Sequence, residues 1–281
     1  MTTLNAANVH PLSVENCADG GDDLDFVLSK LFSDVELRER MKLTSVNSIN
    51  WCRVMVQAVH YFYGYFKVVD KVGDKVTFSI PSGAFGNGFG GYLARAMGLP
   101  VEKFICANNK NAALHTAFSK GIFAKKDLIE TFSSAIDIVV PYNFWRLLYF
   151  SSGCDSAKLK AWMDEFSDKG EIKFDEKTAA LIQKGFLSVS ISEEKTAQTI
   201  NKTFNNGSDY LLDPHAAVAV AAVEELKDKL PESGKIICLA TAHPAKFPDV
   251  MRKVLRLEGE ELPSQAIHSS LVKASKVCQH L

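Results

Sequence analysis

The chain has no excess of charge of either sign: 32 Lys and Arg stand against 33 Asp and Glu in 281 residues. Without a bulk field nothing draws the whole molecule toward nucleic acid or an anionic membrane, so any anion site has to be local. Cysteine is sparse. The six, at positions 17, 52, 106, 154, 238 and 278, show no close pairing, which argues against a disulfide framework and suits a reducing cytosol. Cys52, Cys106 and Cys238 sit in apolar runs and read as small buried hydrophobes. No segment approaches the ~20 apolar residues of a membrane helix, and the start Met1-Thr2-Thr3-Leu4 opens no basic-then-apolar leader, so the expectation is a soluble, unexported, cytoplasmic protein. No His, Cys, Asp or Glu grouping has metal-ligand spacing and no Gly-x-Ser-x-Gly elbow occurs, which removes support from metalloenzyme and hydrolase classes.

What the chain does hold is apolar material, 47% of its residues against 23% charged, enough for one large domain or two modest ones. Residues 1 to 22 read as irregular, with an amphipathic helix expected from Leu24 to Met41. Asn47 or Ser48 is expected to cap a helix with Val54, Met55, Ala58, Phe62 and Tyr65 on its apolar side and Asn50, Arg53, Gln57 and His60 as a polar stripe. Val76 to Ile80 alternates like a strand, Pro81 to Gly91 supplies five glycines, and Tyr92 to Met97 resumes helical spacing. Lys103 to Ala107 is a second strand, ended by Asn108-Asn109-Lys110-Asn111, with a helix around Leu114 after it. Residues 142 to 205 read mainly as helices: Ala157 to Phe166, Glu176 to Lys184, and Thr196 to Phe204 behind a Ser192 cap. Asp213 caps another helix with Pro214 at its first position, Lys235 to Leu239 is the last strand, and Pro248 opens a helix through Leu255. Alternating strands and helices point to a mostly parallel α/β sheet.

The glycine segment is the first candidate for chemistry. Glycine lets a ligand approach the backbone, and a helix N-terminus behind the turn adds partial positive charge, a setting suited to phosphate. The same glycines also serve a turn that only packs a strand closely on a helix. The turn lacks the Gly-Lys-Ser/Thr ending of a nucleotide P-loop, and the dinucleotide fingerprint Gly-x-Gly-x-x-Gly is read as absent as well. Thr241, in the turn Ala240 to Phe247 at the carboxyl end of a strand, stands where open α/β sheets place ligands and could bond a heteroaromatic nitrogen; it and His243 could equally satisfy turn backbone. His215 reads as helix-end structure. Arg53 is a candidate for a substrate anion or simply part of a solvated stripe.

Four segments in order, Asn47-Ser48-Ile49-Asn50-Trp51, Pro81 to Gly91, Asp213-Pro214-His215-Ala216-Ala217-Val218-Ala219 and Thr241 to Phe247, resemble the threonine synthase family of pyridoxal-phosphate enzymes. Val139-Val140-Pro141-Tyr142-Asn143 resembles its threonine synthase-like 2 phospho-lyase branch. The resemblance implies a fold-type-II, tryptophan synthase beta-like α/β architecture, with residues 1–42 a remnant of the small domain and 43–281 the large cofactor-binding domain. It implies pyridoxal 5'-phosphate as cofactor, its phosphate held at Gly83, Ala84, Phe85, Gly86 and Asn87 and its ring nitrogen met by Thr241, with Asn50 and Arg53 near the substrate. The implied partner is a small phosphorylated amino acid such as O-phosphohomoserine, losing phosphate by β,γ-elimination or replacement, in a monomer or homo-oligomer. Ala84 and Asn87 depart from the family's Asn and Asp, and Ala112 stands where an acidic residue is common. The segment bearing the Schiff-base lysine is expected upstream of Met1, outside this chain, and neither Lys110 nor Lys246 is read as its replacement. The isolated chain is therefore expected to turn over very slowly, and a catalytically inactive binding or signalling protein built on this fold is the alternative.

Overall fold

The computed structural model describes residues 7–9, 21–231, 234–259 and 261–275. Two helices come first, α1 (Gly21–Ser33) and α2 (Val35–Met41). They replace the single expected helix because Asp34 adopts an extended backbone and its carboxylate caps α2 at the Leu37 N–H. Next is α3 (Trp51–Val68), capped by Asn50, not by Asn47 or Ser48: the Asn50 side chain accepts from the Cys52 N–H. Its buried positions are Val54, Ala58, Tyr61 and Tyr65, and the expected Met55 lies on the exposed outer face. Cys52 is exposed as well, because α3 covers the sheet with the opposite side.

The core order continues β1 (Val76–Pro81), α4 (Gly86–Ala96), β2 (Val101–Asn108), α5 (Ala113–Lys120), β3 (Ile122–Ala124), α6 (Phe144–Ser151), α7 (Ser156–Lys169), β4 (Glu171–Lys173), α8 (Glu176–Gln183), β5 (Phe186–Ser190), α9 (Glu193–Thr203), α10 (Pro214–Glu225), β6 (Lys235–Cys238), α11 (Pro248–Leu255) and α12 (Ser269–Ser275). Strands β5, β2, β1 and β6 form one parallel sheet in that order, and β3 pairs antiparallel with β4. The strand β5 lies in the stretch read as mainly helical. Its Phe-Leu-Ser-Val-Ser run is short, and it follows α8 after only Lys184 and Gly185, the latter in a left-handed conformation, a break that helical periodicity hides.

All six residues of β1 are buried, as a central parallel strand requires. Alternation then sorts its neighbours. Phe78, Ile80, Phe104 and Cys106 join one core with Val54, Ala58, Tyr61 and Phe89 of α3 and α4, while Ile105 and Ala107 face Val218, Ala221 and Ala222 of α10. Each buried Phe or Ile contributes about 1.5–3 kcal/mol of transfer free energy. The buried Ser79 hydroxyl donates to the Ala219 carbonyl at 2.7 Å, so β1 and α10 are bonded as well as packed.

Order in the sheet reverses at β1, with β2 on one side and β6 on the other. Such a switch point opens a crevice beyond the carboxyl ends of the strands. The segments leaving β1 and β6, Ser82 to Phe85 and Leu239 to Phe247, both start there.

Candidate functional site

At this crevice lies a cavity of about 470 Å³ lined by Val46, Ser48, Arg53, Gln57, the Pro81–Gly88 turn, Ala135, Ile136, His215, Thr241, Lys246 and neighbours. Of the sequence candidates, Gly83, Ala84, Phe85, Gly86, Asn87, Arg53 and Thr241 all line it, though they come from three distant parts of the chain. Asn50 does not. Its side chain caps α3 and its Nδ2 donates to the Ser45 carbonyl at 2.9 Å. Lys246 lines the cavity and Lys110 lies outside the lining.

The turn owes its shape to a helix that begins earlier than the Tyr92 start expected from the sequence. α4 opens at Gly86, behind Phe85 in a left-handed conformation with φ 64°, and no side chain caps it. The first-turn N–H groups of a helix have no intrahelical partner, so here the end of α4 offers them to a ligand. The walls sit tight on the glycines: a Cβ at Gly83 would lie 2.8 Å from the Ile136 Cα, and one at Gly86 2.8 Å from the Ser48 Cβ. The spacing Gly86-Asn87-Gly88-Phe89-Gly90-Gly91 does match Gly-x-Gly-x-x-Gly, contrary to the sequence reading, but it lies inside α4. Gly90 and Gly91 serve helix packing, since a Cβ there would meet Gln57 at 3.1 Å or the Tyr61 ring at 2.7 Å.

Two polar groups, one buried and one half-buried, support the back wall. His215 is the first. Its Nε2 accepts the Ala135 N–H at 3.0 Å, so the ring proton resides on Nδ1, which donates to Asp213 Oδ1 at 2.9 Å. Asp213 also caps α10 through the His215 N–H. The sequence reading of His215 as helix-end structure misses this cavity-wall role, because Ala135 is remote in sequence.

Asp137 is the second. Its Oδ1 accepts from Asn109 Nδ2, Asn111 Nδ2 and the Thr131 hydroxyl at 2.7, 3.0 and 2.7 Å, and its Oδ2 from the Thr131 N–H at 2.9 Å. Burial raises the Asp137 pKa, and these hydrogen bonds offset part of the rise. The asparagines after β2, which read as a strand ending, thus anchor the turn that carries Ile136.

Arg53 and Lys246 are the cations among the described lining residues, and no carboxylate is among them. The site is therefore suited to anions. Arg53 Nη1 donates to the Val46 carbonyl at 2.8 Å. His243 caps the turn of residues 244–246 by accepting the Ala245 N–H on Nδ1 at 3.1 Å, so the turn-structure reading holds for it. The Thr241 hydroxyl makes no hydrogen bond within the described residues. No metal-binding cluster and no helix able to cross a membrane occur among the described residues.

Comparison with known proteins fits this geometry. Residues 216–280 match the family model "Threonine synthase, C-terminal". The chain is 38% identical over 274 residues to threonine synthase of Saccharomyces cerevisiae, covering 91% of this chain and 52% of that protein. It is 35% identical over 256 residues to human threonine synthase-like 2, covering 89% and 52%. The chain thus spans about half the length of the curated relatives it matches. A crystal structure of pyridoxal-phosphate-bound threonine synthase from Brucella melitensis superposes with TM-score 0.80 at 35% identity over 92% of this chain and 54% of that one. The shared fold is the fold-type-II architecture.

Proposed function

We propose, from the premise that this chain is a relative of the threonine synthases and shares their fold, that its cavity is the phosphate- and ring-holding part of a pyridoxal-phosphate site. One observation carries the proposal: the glycine turn, Thr241 and Arg53 line a single cavity at the switch point of the sheet. The residues fit the group. Gly83 and Gly86 form a cradle that a Cβ would fill, and the uncapped start of α4 supplies donors that survive the presence of Ala84 and Asn87, since backbone N–H groups need no particular side chain.

In this reading the main chain at Gly83, Ala84, Phe85, Gly86 and Asn87 binds the cofactor phosphate, and the Thr241 hydroxyl bonds the pyridine nitrogen. Arg53 attracts the anionic group of a small phosphorylated amino acid such as O-phosphohomoserine, with Lys246 the second cation at hand. Asn50 acts on the substrate only indirectly, by capping the helix that presents Arg53. The cofactor, when bound, supplies the electron sink for phosphate loss by β,γ-elimination or replacement. Titration of the chain with pyridoxal phosphate tests the reading: saturable one-to-one binding, weakened by Thr241→Val, supports it, and no saturable binding refutes it.

A second reading, a protein that keeps the fold without turnover and works through its surface, is favoured by the outer face of α3. Met55, Val56, Val59, Tyr63 and Phe66 are all exposed there, and a helix apolar on both sides is ordinarily covered on both. Sedimentation decides: a monodisperse monomer that binds neither dye nor partner removes this reading.

A further inference from the structure

Tyr142, Asn143 and Arg146 lie outside the cavity lining, yet they fasten two of its walls to each other. Asn143 is wholly buried. Its N–H and its Nδ2 both donate to the Ala84 carbonyl, at 3.1 and 3.0 Å, and Nδ2 also donates to the Ser48 hydroxyl oxygen at 2.9 Å. Its Oδ1 accepts from Arg146 Nε at 3.1 Å. The amide is therefore used at both ends, and a flip would set its oxygen against the Ala84 carbonyl.

The partners extend the tie on each side. Arg146 Nη2 donates to the Ser48 and Ile49 carbonyls at 3.1 and 2.9 Å, and its guanidinium stacks 5.2 Å above the Trp51 ring. The Tyr142 hydroxyl donates to Asn47 Oδ1 at 2.6 Å. Beyond Ser48, the same loop is held to α3 by Arg53 on the Val46 carbonyl and Asn50 on the Ser45 carbonyl, at 2.8 and 2.9 Å.

We propose that Asn143 is a positioning residue, a latch that fixes the Ser45–Ile49 loop on the glycine turn and so sets the spacing between the phosphate-binding backbone and Arg53. The proposal rests on the pyridoxal-phosphate reading for the ligand, but not for the latch. A buried site that needed only cohesion would be filled as well or better by an apolar side chain, so an amide bonded to one group on each of two separate wall segments, and held in turn by Arg146, specifies geometry. Ser48 carries that geometry to the cradle because it packs directly against Gly86.

The test titrates pyridoxal phosphate into the parent chain, Asn143→Ala, Asn143→Asp, Ser48→Ala and the Ser48→Ala/Asn143→Ala pair, and follows amide exchange of the same proteins. The expected result is about tenfold weaker cofactor binding in Asn143→Ala, with faster exchange confined to Ser45–Ile49 and the glycine turn, and no further loss in the double variant. Asn201→Ala, which removes a different amide bridging the Ala197 and Val254 carbonyls, should leave both readouts unchanged. Asn143→Asp keeps the size and the acceptor for Arg146 but loses both donated hydrogens, so it gives the same loss if the alanine variant fails to fold. A folded Asn143 variant with unchanged exchange at Ser45–Ile49, or losses that add in full in the double variant, overturns the latch. A parent chain that binds no pyridoxal phosphate overturns the functional reading instead. The exchange of the loop then decides the latch by itself: faster in the variants supports it, unchanged refutes it.

Discussion

Gly83→Ala puts the cradle under the sharpest steric test. The position has no left-handed backbone to lose, since Gly83 is not among the positive-φ glycines, so the cost is pure contact. An added Cβ lies 2.8 Å from the Ile136 Cα and 3.0 Å from the Ile136 Cβ and Ile138 Cγ1. Ordinary carbon contacts begin near 3.5 Å, so one or the other backbone must retreat by roughly half an ångström. The Ile136 turn resists, because Ala135 is held by His215 and Asp137 by four hydrogen bonds. Overpacking of this kind costs about 1–3 kcal/mol, and displacement of the donors weakens phosphate binding by about tenfold or more. Urea unfolding reads the first and calorimetric titration with pyridoxal phosphate the second. A variant that matches the parent in both the urea midpoint and affinity refutes the claim that this turn is a close-fitting cradle.

Further outcomes follow from the same geometry. Gly64→Ala should stabilise the chain by about 0.5–1 kcal/mol, because its Cβ would meet Phe78 and Ile237 only at 3.8 and 3.9 Å inside α3; a fall in the urea midpoint contradicts this. Asp213→Ala removes the cap of α10 and leaves the His215 Nδ1–H buried without its acceptor, a loss of about 2–4 kcal/mol measurable by the same unfolding. Thiol labelling near pH ~8 should modify Cys52 and Cys154 in the folded protein but not Cys106, whose thiol burial pushes up to about 12. Because the folded value lies above the ordinary 9.0, the protonated thiol's contribution is fully present below the unfolded pKa and is lost as pH rises through the folded one. Unfolding free energy should therefore decline from about 9 toward about 12, with Cys238, pushed to about 11, acting the same way. Cys106→Ala should flatten that decline, and an unchanged slope speaks against it.

Much of the fold was legible because local rules agreed with the tertiary outcome. Caps at Ser192 and Asp213, Pro214 at the first helical position, and the alternation of Val76 to Ile80 all mark elements whose signals are local. Failures came where tertiary packing overrode those signals. The start of α4 at Gly86 is hidden by glycines of poor helix propensity, which are there because Gly90 and Gly91 must meet α3 closely. Cys52 and Met55 look like core residues by type, yet the structure leaves that face of α3 exposed.

The site shows the same division. Gly83 to Asn87 and Thr241 are found at strand ends, where motif and topology coincide. His215, Asp137, Asn143 and Arg146 act through bonds to residues far away in the chain, and spacing along one sequence carries no trace of such pairs. Asn50 is the converse: only the family resemblance placed it near the substrate, and its side chain is engaged with Cys52 and Ser45.

The most direct measurement is a calorimetric titration of pyridoxal phosphate into the parent chain and into Gly83→Ala and Thr241→Val. The account predicts one saturable site in the parent, weakened about tenfold in each variant, since one removes the fit around the phosphate and the other the hydroxyl that meets the ring. Absence of a saturable site, or affinity indifferent to both substitutions, would contradict the assignment of this cavity to the cofactor.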